Sequence, residues 1–210
     1  GIPFIEYVIE NFSRFGIKKI LILTSYKSKL FFKKYHNKTL YGLKIQCHDE
    51  KKAKGTGGAL LDAKKKLDNF FYLCNGDTFF NINILNFNLS LKKNDFLSIG
   101  VSKKKKNTRY SGLKLKKNKI EDFNSNNTHY VNSGYYLVNK KLFSLYNVKN
   151  KTFSFEKDLI PYLVAKKKVK FFLFKDKTFL DIGVKKDLIS SPKYLSKNKI
   201  NKAVFLDRDG

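Results

Sequence analysis

Hydrophobic positions along the chain alternate between the spacing of amphipathic helices and that of short buried strands. Residues 3–15 place apolar side chains three and four positions apart, which predicts a helix that Gly16 ends. Residues 19–24 read KILILT, an unbroken apolar run that fits a central parallel strand buried on both faces. The repeated order of strand, turn and helix predicts an α/β fold whose mixed, mainly parallel sheet is flanked by helices.

The rest of the pattern divides the chain into one main unit and a short tail. Predicted helices cover residues 27–35, 59–67, 140–145 and 155–165, and predicted strands cover 43–47, 70–74, 96–101, 111–115, 119–123, 130–138, 169–174 and 178–180. One domain is therefore expected over residues 1–190, ending in a helical turn at 185–189. Residues 191–201, with Pro, Lys and Asn, are typical of a linker. A new buried strand at 202–206 predicts that residues 202–210 begin a second, truncated domain.

Composition favours a folded protein without membrane segments. Hydrophobic residues make up 42% of the 210 residues and aromatic residues 15%, more than a chain too polar to collapse would carry. The sequence has no run of about 18 apolar residues and no signal-peptide pattern at its start. Cys47 and Cys74 lie in apolar, strand-like stretches, as reduced cysteines of a cytoplasmic protein do. Because the chain opens at Gly1 and contains no methionine, we expect a fragment.

The net charge of +27 would ordinarily indicate a nucleic-acid or anionic-membrane partner. Only three of the 44 basic residues are arginine, the residue preferred for two-pronged recognition of phosphates and bases. The lysines are spread among Asn, Ile, Phe and Tyr, as A/T-rich coding produces. We therefore expect no specific nucleic-acid partner and no membrane partner. A nucleic-acid binder, the least favoured class, would show affinity that falls steeply with salt.

Two acidic residues follow predicted strands that are far apart in the sequence. Asp77 belongs to Asn-Gly-Asp-Thr at 75–78, and Asp181 belongs to Phe-Leu-Asp-Ile-Gly at 179–183. Ligands of open α/β sheets bind outside the carboxyl ends of the strands, where two converging carboxylates would hold a divalent metal. The alternative is that Asn-Gly-Asp is only a turn.

A glycine-rich stretch at 55–58, Gly-Thr-Gly-Gly, forms a predicted turn before a helix. Its unhindered backbone would let a ligand approach closely. The stretch is not a P-loop, because Lys and Ser or Thr do not follow the glycines in the required order. A flexible turn capped by Thr56 is the structural alternative.

Six short motifs follow one another along residues 55–183. They are GTGGAL at 55–60, NGDT at 75–78, YSG at 110–112, VNSGYY at 131–136, SFEKD at 154–158 and FLDIG at 179–183. Together they resemble the sugar-phosphate nucleotidyltransferases, and most of all the D-glycero-D-manno-heptose 1-phosphate guanylyltransferase type, in which Glu-Lys-Asp and Asp-Ile-Gly occur. The resemblance covers roughly residues 1–190 and implies a Rossmann-like fold of the nucleotide-diphospho-sugar transferase type.

That resemblance implies transfer of a nucleoside monophosphate from an NTP to a sugar 1-phosphate, with release of pyrophosphate. On matching positions, Asp77 and Asp181 would be catalytic and would hold the cofactor Mg²⁺. The nucleotide would lie against Gly55, Thr56, Gly57, Gly58 and Asp77. The sugar pocket would involve Gly112, Asn132 and Gly134, with Glu156 and Lys157 near the sugar hydroxyls or phosphate. Since the nucleophile is already an ionised phosphate oxygen, positioning and charge neutralisation would supply most of the catalysis.

The chain also departs from the pattern of that family. The opening strand and the Gly-rich triphosphate loop would lie upstream of Gly1. Without them we expect no useful activity from the fragment, and we expect an exposed hydrophobic sheet edge. The usual Glu-Lys pair after the strand at 119–123 is replaced by Ser125-Asn126, with Glu121 nearby.

The tail at 202–210, KAVFLDRDG, resembles the opening motif of haloacid dehalogenase phosphatases, in particular the heptose 1,7-bisphosphate phosphatases. In that family Asp207 would attack phosphate, Asp209 would act as general acid and base, and both would contact Mg²⁺. The alternative is a lone strand and turn that match by chance. Such a phosphatase makes the substrate that a heptose 1-phosphate nucleotidyltransferase consumes.

These observations predict an enzyme of nucleotide-sugar synthesis for surface polysaccharide, such as lipopolysaccharide. GTP is the expected donor and D-glycero-D-manno-heptose 1-phosphate the expected acceptor, with a bisphosphate phosphatase fused behind. One alternative is a nucleotidyltransferase that acts on hexose or mannose 1-phosphate, and another is a non-catalytic module that binds sugar nucleotides. The partners considered also include a second copy of the chain, in a homo-oligomer.

Overall fold

The computed structural model describes residues 1–92, 95–104, 110–117, 119–126, 128–146, 152–175, 177 and 179–199, with side chains up to residue 196. The α-helices are α1 (Phe4–Ser13), α2 (Ser28–Tyr35), α3 (Gly55–Asp62), α4 (Leu142–Leu145), α5 (Ile160–Ala165) and α6 (Lys185–Lys199). Short 3-10 helices cover Lys64–Lys66 and Ile84–Leu89, and a π-helix covers Phe155–Leu159. The strands are β1 (Lys19–Thr24), β2 (Lys38–Leu40), β3 (Leu43–Asp49), β4 (Phe70–Cys74), β5 (Thr78–Phe79), β6 (Leu97–Lys103), β7 (Leu113–Lys116), β8 (Lys119–Phe123), β9 (Tyr130–Asn139), β10 (Val169–Phe174) and β11 (Leu180–Asp181).

The strands form a mixed arrangement, as predicted. β1 pairs in parallel with β3, and β2 pairs antiparallel with β3. The larger sheet has the order β10-β6-β9-β4, in which β10 and β6 are parallel and β9 is antiparallel to both of its neighbours. β4, β6 and β10 therefore run in one direction, and their carboxyl ends meet at one edge. The pairs β5 with β11 and β7 with β8 are antiparallel.

Two cores cover the opposite faces of the larger sheet. Along β9, Tyr136 and Val138 belong to the core that includes α5, whereas Tyr135 and Leu137 belong to the core that includes α1. A smaller core joins α1 and α2 to β1 and β3. Within the described residues, no helix combines the length and the apolarity needed to cross a bilayer.

Element bounds agree best with prediction where an apolar run is long enough to be distinctive. The strands predicted at 19–24, 70–74 and 169–174 have these bounds in the structure. The strand predicted at 119–123, in which three of the five residues are charged, also has its predicted bounds. β2 and β5 were not predicted, because a strand of two or three residues has too few positions to show alternation. The helix predicted over 155–165 is present, but its first turn is a π-helix.

The prediction that residues 19–24 form a central strand is wrong for the described residues. There β1 lies at the edge of its sheet, and Ile20, Leu21 and Leu23 are only half-buried. β4, at the edge of the larger sheet, is also largely half-buried, and Phe70 is 44% exposed. An apolar run indicates that a strand tends to be buried, but it does not say which neighbours bury it. Apolar side chains of both edge strands are therefore partly exposed.

The prediction of a linker after residue 190 is also wrong as far as residue 199. These residues belong to α6, which contains Pro192. Leu195 is 4% exposed, and the ring of Tyr194 packs edge-on against Phe79 of β5 with 6.5 Å between the centroids. The packing of these apolar side chains outweighs the helix-breaking tendency of the Ser-Ser-Pro sequence. The strand predicted at 202–206 lies outside the described residues.

Candidate active site

The turn after β4 carries the first predicted carboxylate, Asp77. β4 ends at Cys74, and the three residues before β5 are exposed. The backbone N–H of Thr78 donates to the Asn75 carbonyl across 3.2 Å, and the Thr78 hydroxyl donates to Asp77 Oδ1 across 3.3 Å. The Asn-Gly-Asp sequence is therefore a turn, and this turn holds a carboxylate at the carboxyl end of a strand.

Asp181 lies beside this turn, although more than a hundred residues separate it from Asp77 in the sequence. β11 pairs antiparallel with β5 so that Asp181 is opposite Thr78. The backbone N–H of Ile182 donates to the carbonyl of Asp77 across 3.0 Å, and that of Gly183 donates to Asp181 Oδ1 across 2.7 Å. The structure thus places Asp181, on β11, next to the turn that carries Asp77.

The donor atoms of this pair suit a magnesium ion that binds together with a substrate. Among the described residues, no three His, Cys, Asp or Glu side chains are grouped so that they could hold a metal ion. Mg²⁺ is usually held in proteins by one or two carboxylates, while phosphates of a bound substrate and water complete its shell. Asp77 and Asp181 offer hard oxygen ligands of this kind, so they fit a metal shared with a nucleotide.

Cys74, directly before the turn, is a thiol without nucleophilic character. Burial, and to a smaller extent the nearby charge of Asp77, raise the pKa of Cys74 to about 12. Burial also raises the pKa of Cys47, and both cysteines are free thiols. Because the thiolate is the reactive form, neither side chain is a candidate nucleophile at neutral pH.

A second polar cluster is centred on Glu156, at the start of the π-helix. The Tyr136 hydroxyl donates to Glu156 Oε1 across 2.5 Å, and the side-chain amides of Asn75 and Asn132 each donate to the same oxygen across 3.3 Å. The Asn132 amide also donates to the Tyr136 hydroxyl across 2.7 Å. Since Asn75 is two residues from Asp77, the Glu156 cluster adjoins the carboxylate pair.

Tyr136 remains a hydrogen-bond donor in this cluster. Burial, and then the negative charge of Glu156, hold the pKa of Tyr136 well above its ordinary value. The phenol is therefore protonated at neutral pH and can donate to the carboxylate, while the Asn132 amide occupies its acceptor side.

Gly134 makes room for Asn75 in this cluster. Its φ is +73°, and its carbonyl accepts the backbone N–H of Asn75 across 3.0 Å. A Cβ at this position would lie 2.7 Å from Asn75 Nδ2. The side chain of Asn132, predicted to line the sugar pocket, is 6% exposed, and its Oδ1 accepts the N–H of Gly134 across 3.1 Å. Both predicted residues therefore lie in the cluster.

The sequence Ser-Phe-Glu-Lys-Asp places Glu156 through an N-terminal cap. The Ser154 hydroxyl accepts the N–H of Lys157 across 3.0 Å, and Asp158 Oδ2 accepts the N–H of Ser154 across 2.6 Å. This reciprocal arrangement fixes the first turn of the helical segment and the backbone of Glu156 within it. Lys157, predicted to act beside Glu156, is exposed, and the contact described for it is this backbone hydrogen bond.

The glycine-rich residues 55–58 form the first turn of α3 rather than a turn before it. The backbone N–H groups of Gly57 and Gly58 donate to the Phe153 carbonyl across 3.0 and 3.3 Å, and Thr56 Oγ1 accepts the N–H of Phe155 across 2.9 Å. A Cβ at Gly55 would lie 2.6 Å from the Phe153 carbonyl oxygen, and one at Gly57 would overlap the Phe153 ring. These glycines thus hold the segment that leads into Glu156, and their contact with a nucleotide stays a prediction.

Gly112, predicted to contact the sugar, is also closely packed. It forms an isolated bridge with Val131, and its carbonyl accepts the N–H of Ser125 across 3.1 Å. A Cβ at Gly112 would overlap the Ser125 carbonyl. Glu121, noted as the nearby acidic residue, pairs instead with Lys114 and Lys116 on the β7–β8 hairpin. Close backbone packing therefore accounts for this glycine, and its sugar contact stays a prediction.

Two predicted site residues lie outside the part of the chain that the structure describes, and two residues of the site had no predicted role. Asp207 and Asp209 lie outside the described residues. Asn75 and Tyr136 stood inside recognised motifs, but no role was predicted for either side chain. The signal for the cluster was Asn132, a polar residue inside a predicted strand, because a buried polar side chain requires partners.

Comparisons with known proteins identify the family of the chain. The chain matches the nucleotidyl transferase family over residues 1–198, which includes most of α6. It is 31% identical over 189 residues to D-glycero-alpha-D-manno-heptose 1-phosphate guanylyltransferase of Campylobacter jejuni, covering 88% of this chain and 82% of that protein. It is 28% identical over 200 residues to the protein of the same name from Aneurinibacillus thermoaerophilus, covering 92% and 85%.

A solved structure also resembles the fold throughout. HddC from Yersinia pseudotuberculosis superposes with a TM-score of 0.78 at 26% identity, covering 95% of this chain and 87% of that one. The same protein complexed with GMP-PN gives a TM-score of 0.76 at 26% identity, covering 92% and 86%. With a family match over residues 1–198 and a relative that is 31% identical over 88% of the chain, the chain belongs to the nucleotidyl transferase family.

Proposed function

We propose that the protein transfers GMP from GTP to D-glycero-D-manno-heptose 1-phosphate in a Mg²⁺-dependent reaction that releases pyrophosphate. The observation that carries this proposal is the continuity of the site. A single turn, residues 75–77, joins the Asp77 and Asp181 pair to the Glu156 cluster. A phosphate and a hydroxylated sugar can thus bind side by side.

The choice of substrates rests on the relatives. Two curated proteins that align with most of this chain are named heptose 1-phosphate guanylyltransferases, and HddC was solved with GMP-PN. A mannose-1-phosphate guanylyltransferase of Mycobacterium tuberculosis matches a shorter stretch, 33% of the chain. The shared guanylyl donor in these names favours GTP over the other nucleotides.

In the proposed mechanism, Asp77 and Asp181 would hold Mg²⁺. Bound Mg²⁺ would neutralise the negative charge that develops on the α-phosphate and on the leaving pyrophosphate. A phosphate oxygen of the sugar 1-phosphate attacks the α-phosphorus of GTP, and the bond from that phosphorus to the bridging oxygen of the β-phosphate breaks. The nucleophile is ionised at neutral pH, so no side chain needs to remove a proton from it.

The Glu156 cluster would orient the acceptor in this reaction. A carboxylate accepts hydrogen bonds from sugar hydroxyls, and Asn75 and Asn132 add amide groups that can donate and accept. Because Asn75 contacts Glu156 and lies on the same turn as Asp77, a movement of the sugar would be coupled to the position of the phosphate.

The test is pyrophosphate release by the protein made from its own start codon, so that any residues encoded ahead of Gly1 are included. GTP, CTP, ATP, UTP and dTTP are each paired with heptose, mannose and glucose 1-phosphates, with Mg²⁺ and with EDTA. We expect release only with GTP and heptose 1-phosphate, and none with EDTA. Release with another pair would overturn the substrates, and no release with any pair would favour the non-catalytic sugar-nucleotide-binding module.

We also propose that residues 202–210 begin a heptose bisphosphate phosphatase unit. The family match ends at residue 198, and the sequence beyond it carries Asp207 and Asp209 two positions apart after an apolar run. The same assay mixture, given heptose 1,7-bisphosphate and the complete gene product, should release inorganic phosphate in the wild type and not in Asp207→Asn.

A further inference from the structure

Two consecutive tyrosines of β9 reach the candidate site from opposite faces of the larger sheet. Tyr135 belongs to the core on the α1 side and Tyr136 to the core on the α5 side, and each is 1% exposed. This separation follows from the alternation of side chains along a strand. Each ring is buried in its core, while each hydroxyl lies at a polar segment of the site.

Tyr136 fixes Glu156 from two directions. Its ring packs edge-on against Phe155 with 5.2 Å between the centroids, which holds the residue directly before Glu156. Its hydroxyl donates to Glu156 Oε1 across 2.5 Å and accepts from the Asn132 amide across 2.7 Å. Hydrogen bonds to an ionised acceptor are short and strong, so this contact restricts the carboxylate to one orientation.

Tyr135 makes the corresponding contacts on the carboxylate side. Its hydroxyl donates to the Thr78 carbonyl across 3.1 Å and accepts the N–H of Phe80 across 3.3 Å. The ring is stacked on Phe12 at 5.9 Å and edge-on to Phe80 at 5.7 Å. These contacts hold β5, which begins directly after Asp77 and pairs with the strand that carries Asp181.

We propose that Tyr136 and Tyr135 are positioning residues for separate halves of the site, with the Tyr136 hydroxyl holding Glu156 for the sugar 1-phosphate and the Tyr135 hydroxyl holding the Asp77 turn for the metal and nucleotide. This inference rests on the proposed function. It assigns the positioning of the sugar 1-phosphate side, and that of the metal and nucleotide side, to two adjacent residues of one buried strand.

Steady-state kinetics of Tyr136→Phe and Tyr135→Phe test the proposal, because each variant removes one buried hydroxyl and keeps the ring. Tyr136→Phe should raise KM for the sugar 1-phosphate about tenfold, as loss of a hydrogen bond to a charged group does, and leave KM for GTP within about twofold. Tyr135→Phe should raise the Mg²⁺ concentration for half-maximal rate about tenfold and leave KM for the sugar 1-phosphate unchanged. A purely structural role would give both variants the same profile, and that result would overturn the proposal.

A thermal-unfolding cycle tests the Tyr136–Glu156 contact without any turnover. Tyr136→Phe, Glu156→Ala and the double variant are compared with the wild type by their Tm. We expect the double variant to lose less in Tm than the two single losses together, since contacting residues are not additive. Additive losses would overturn the contact and the role built on it. A wild type without turnover would overturn the proposed function and the acceptor role, while the cycle would still report on the contact.

Discussion

At Gly134 the backbone of β9 adopts a φ of +73° and lies against the Asn75 side chain. Gly16, with a φ of +69°, has no atom within 4 Å of the position that a Cβ would take. The two glycines therefore share a backbone conformation but differ in the space around them. A comparison of the two positions therefore separates the free-energy cost of the left-handed backbone conformation from the cost of steric crowding by Asn75.

Gly134→Ala should lower the free energy of unfolding by about 2–3 kcal/mol, whereas Gly16→Ala should lower it by about 1 kcal/mol. The smaller loss is that of the left-handed conformation alone, and the larger loss adds displacement of Asn75. Urea denaturation of the two variants and the wild type measures both. Equal losses would mean that Asn75 moves away freely and is not held by β9.

Sequence analysis identified neighbours in the site correctly where an acidic residue follows a predicted strand. Asp77 and Asp181 each follow an apolar run, so their meeting at one edge could be predicted. The contacts of Asn75 and Tyr136 with Glu156 could not, because they depend on the fold of β9 and on the cap formed by Ser154. The glycines at 55 and 57 suggested an open approach for a ligand, whereas the structure packs them against Phe153.

Among the elements, α6 departs most from its predicted form. Ser-Ser-Pro within 190–192 indicated a linker, but the helix continues to Lys199 and buries Leu195. Local sequence favoured an interruption, and tertiary packing against β5 outweighed it. By contrast, β4 and β10 were predicted with their observed bounds, because each is a run of mostly apolar residues flanked by polar ones.

Leu195→Ala should lower the free energy of unfolding by about 2–3 kcal/mol, as the loss of a buried leucine side chain does. Ile189→Ala on the same helix is the matched control, because Ile189 is 70% exposed, and it should change stability by less than about 0.5 kcal/mol. Urea denaturation again gives both values. Equally small effects would restore the linker interpretation of this segment.

Each of the two larger sheets of the molecule has a half-buried apolar strand at its edge, β1 in one sheet and β4 in the other. The site lies at the carboxyl end of β4, at the turn that carries Asp77. The α/β class followed from the repeated order of strand, turn and helix, and the family followed from six ordered motifs, which are specific in combination. The sheet order did not follow from them, because the pairing of β5 with β11 joins segments a hundred residues apart and β5 has only two residues. The net charge of +27 did not help to locate the site in the sequence.

The central claim is that the Asp77 and Asp181 pair supports Mg²⁺-dependent guanylyl transfer. Its most direct test is the rate of GDP-heptose formation by the wild type, Asp77→Asn and Asp181→Asn. Asp68→Asn is the matched control, because Asp68 is 75% exposed just before β4 and contacts Lys19 at 3.7 Å, away from the turn. We predict that each site variant loses at least about a hundredfold in kcat while the control keeps the wild-type rate. Wild-type rates in either site variant would contradict the account.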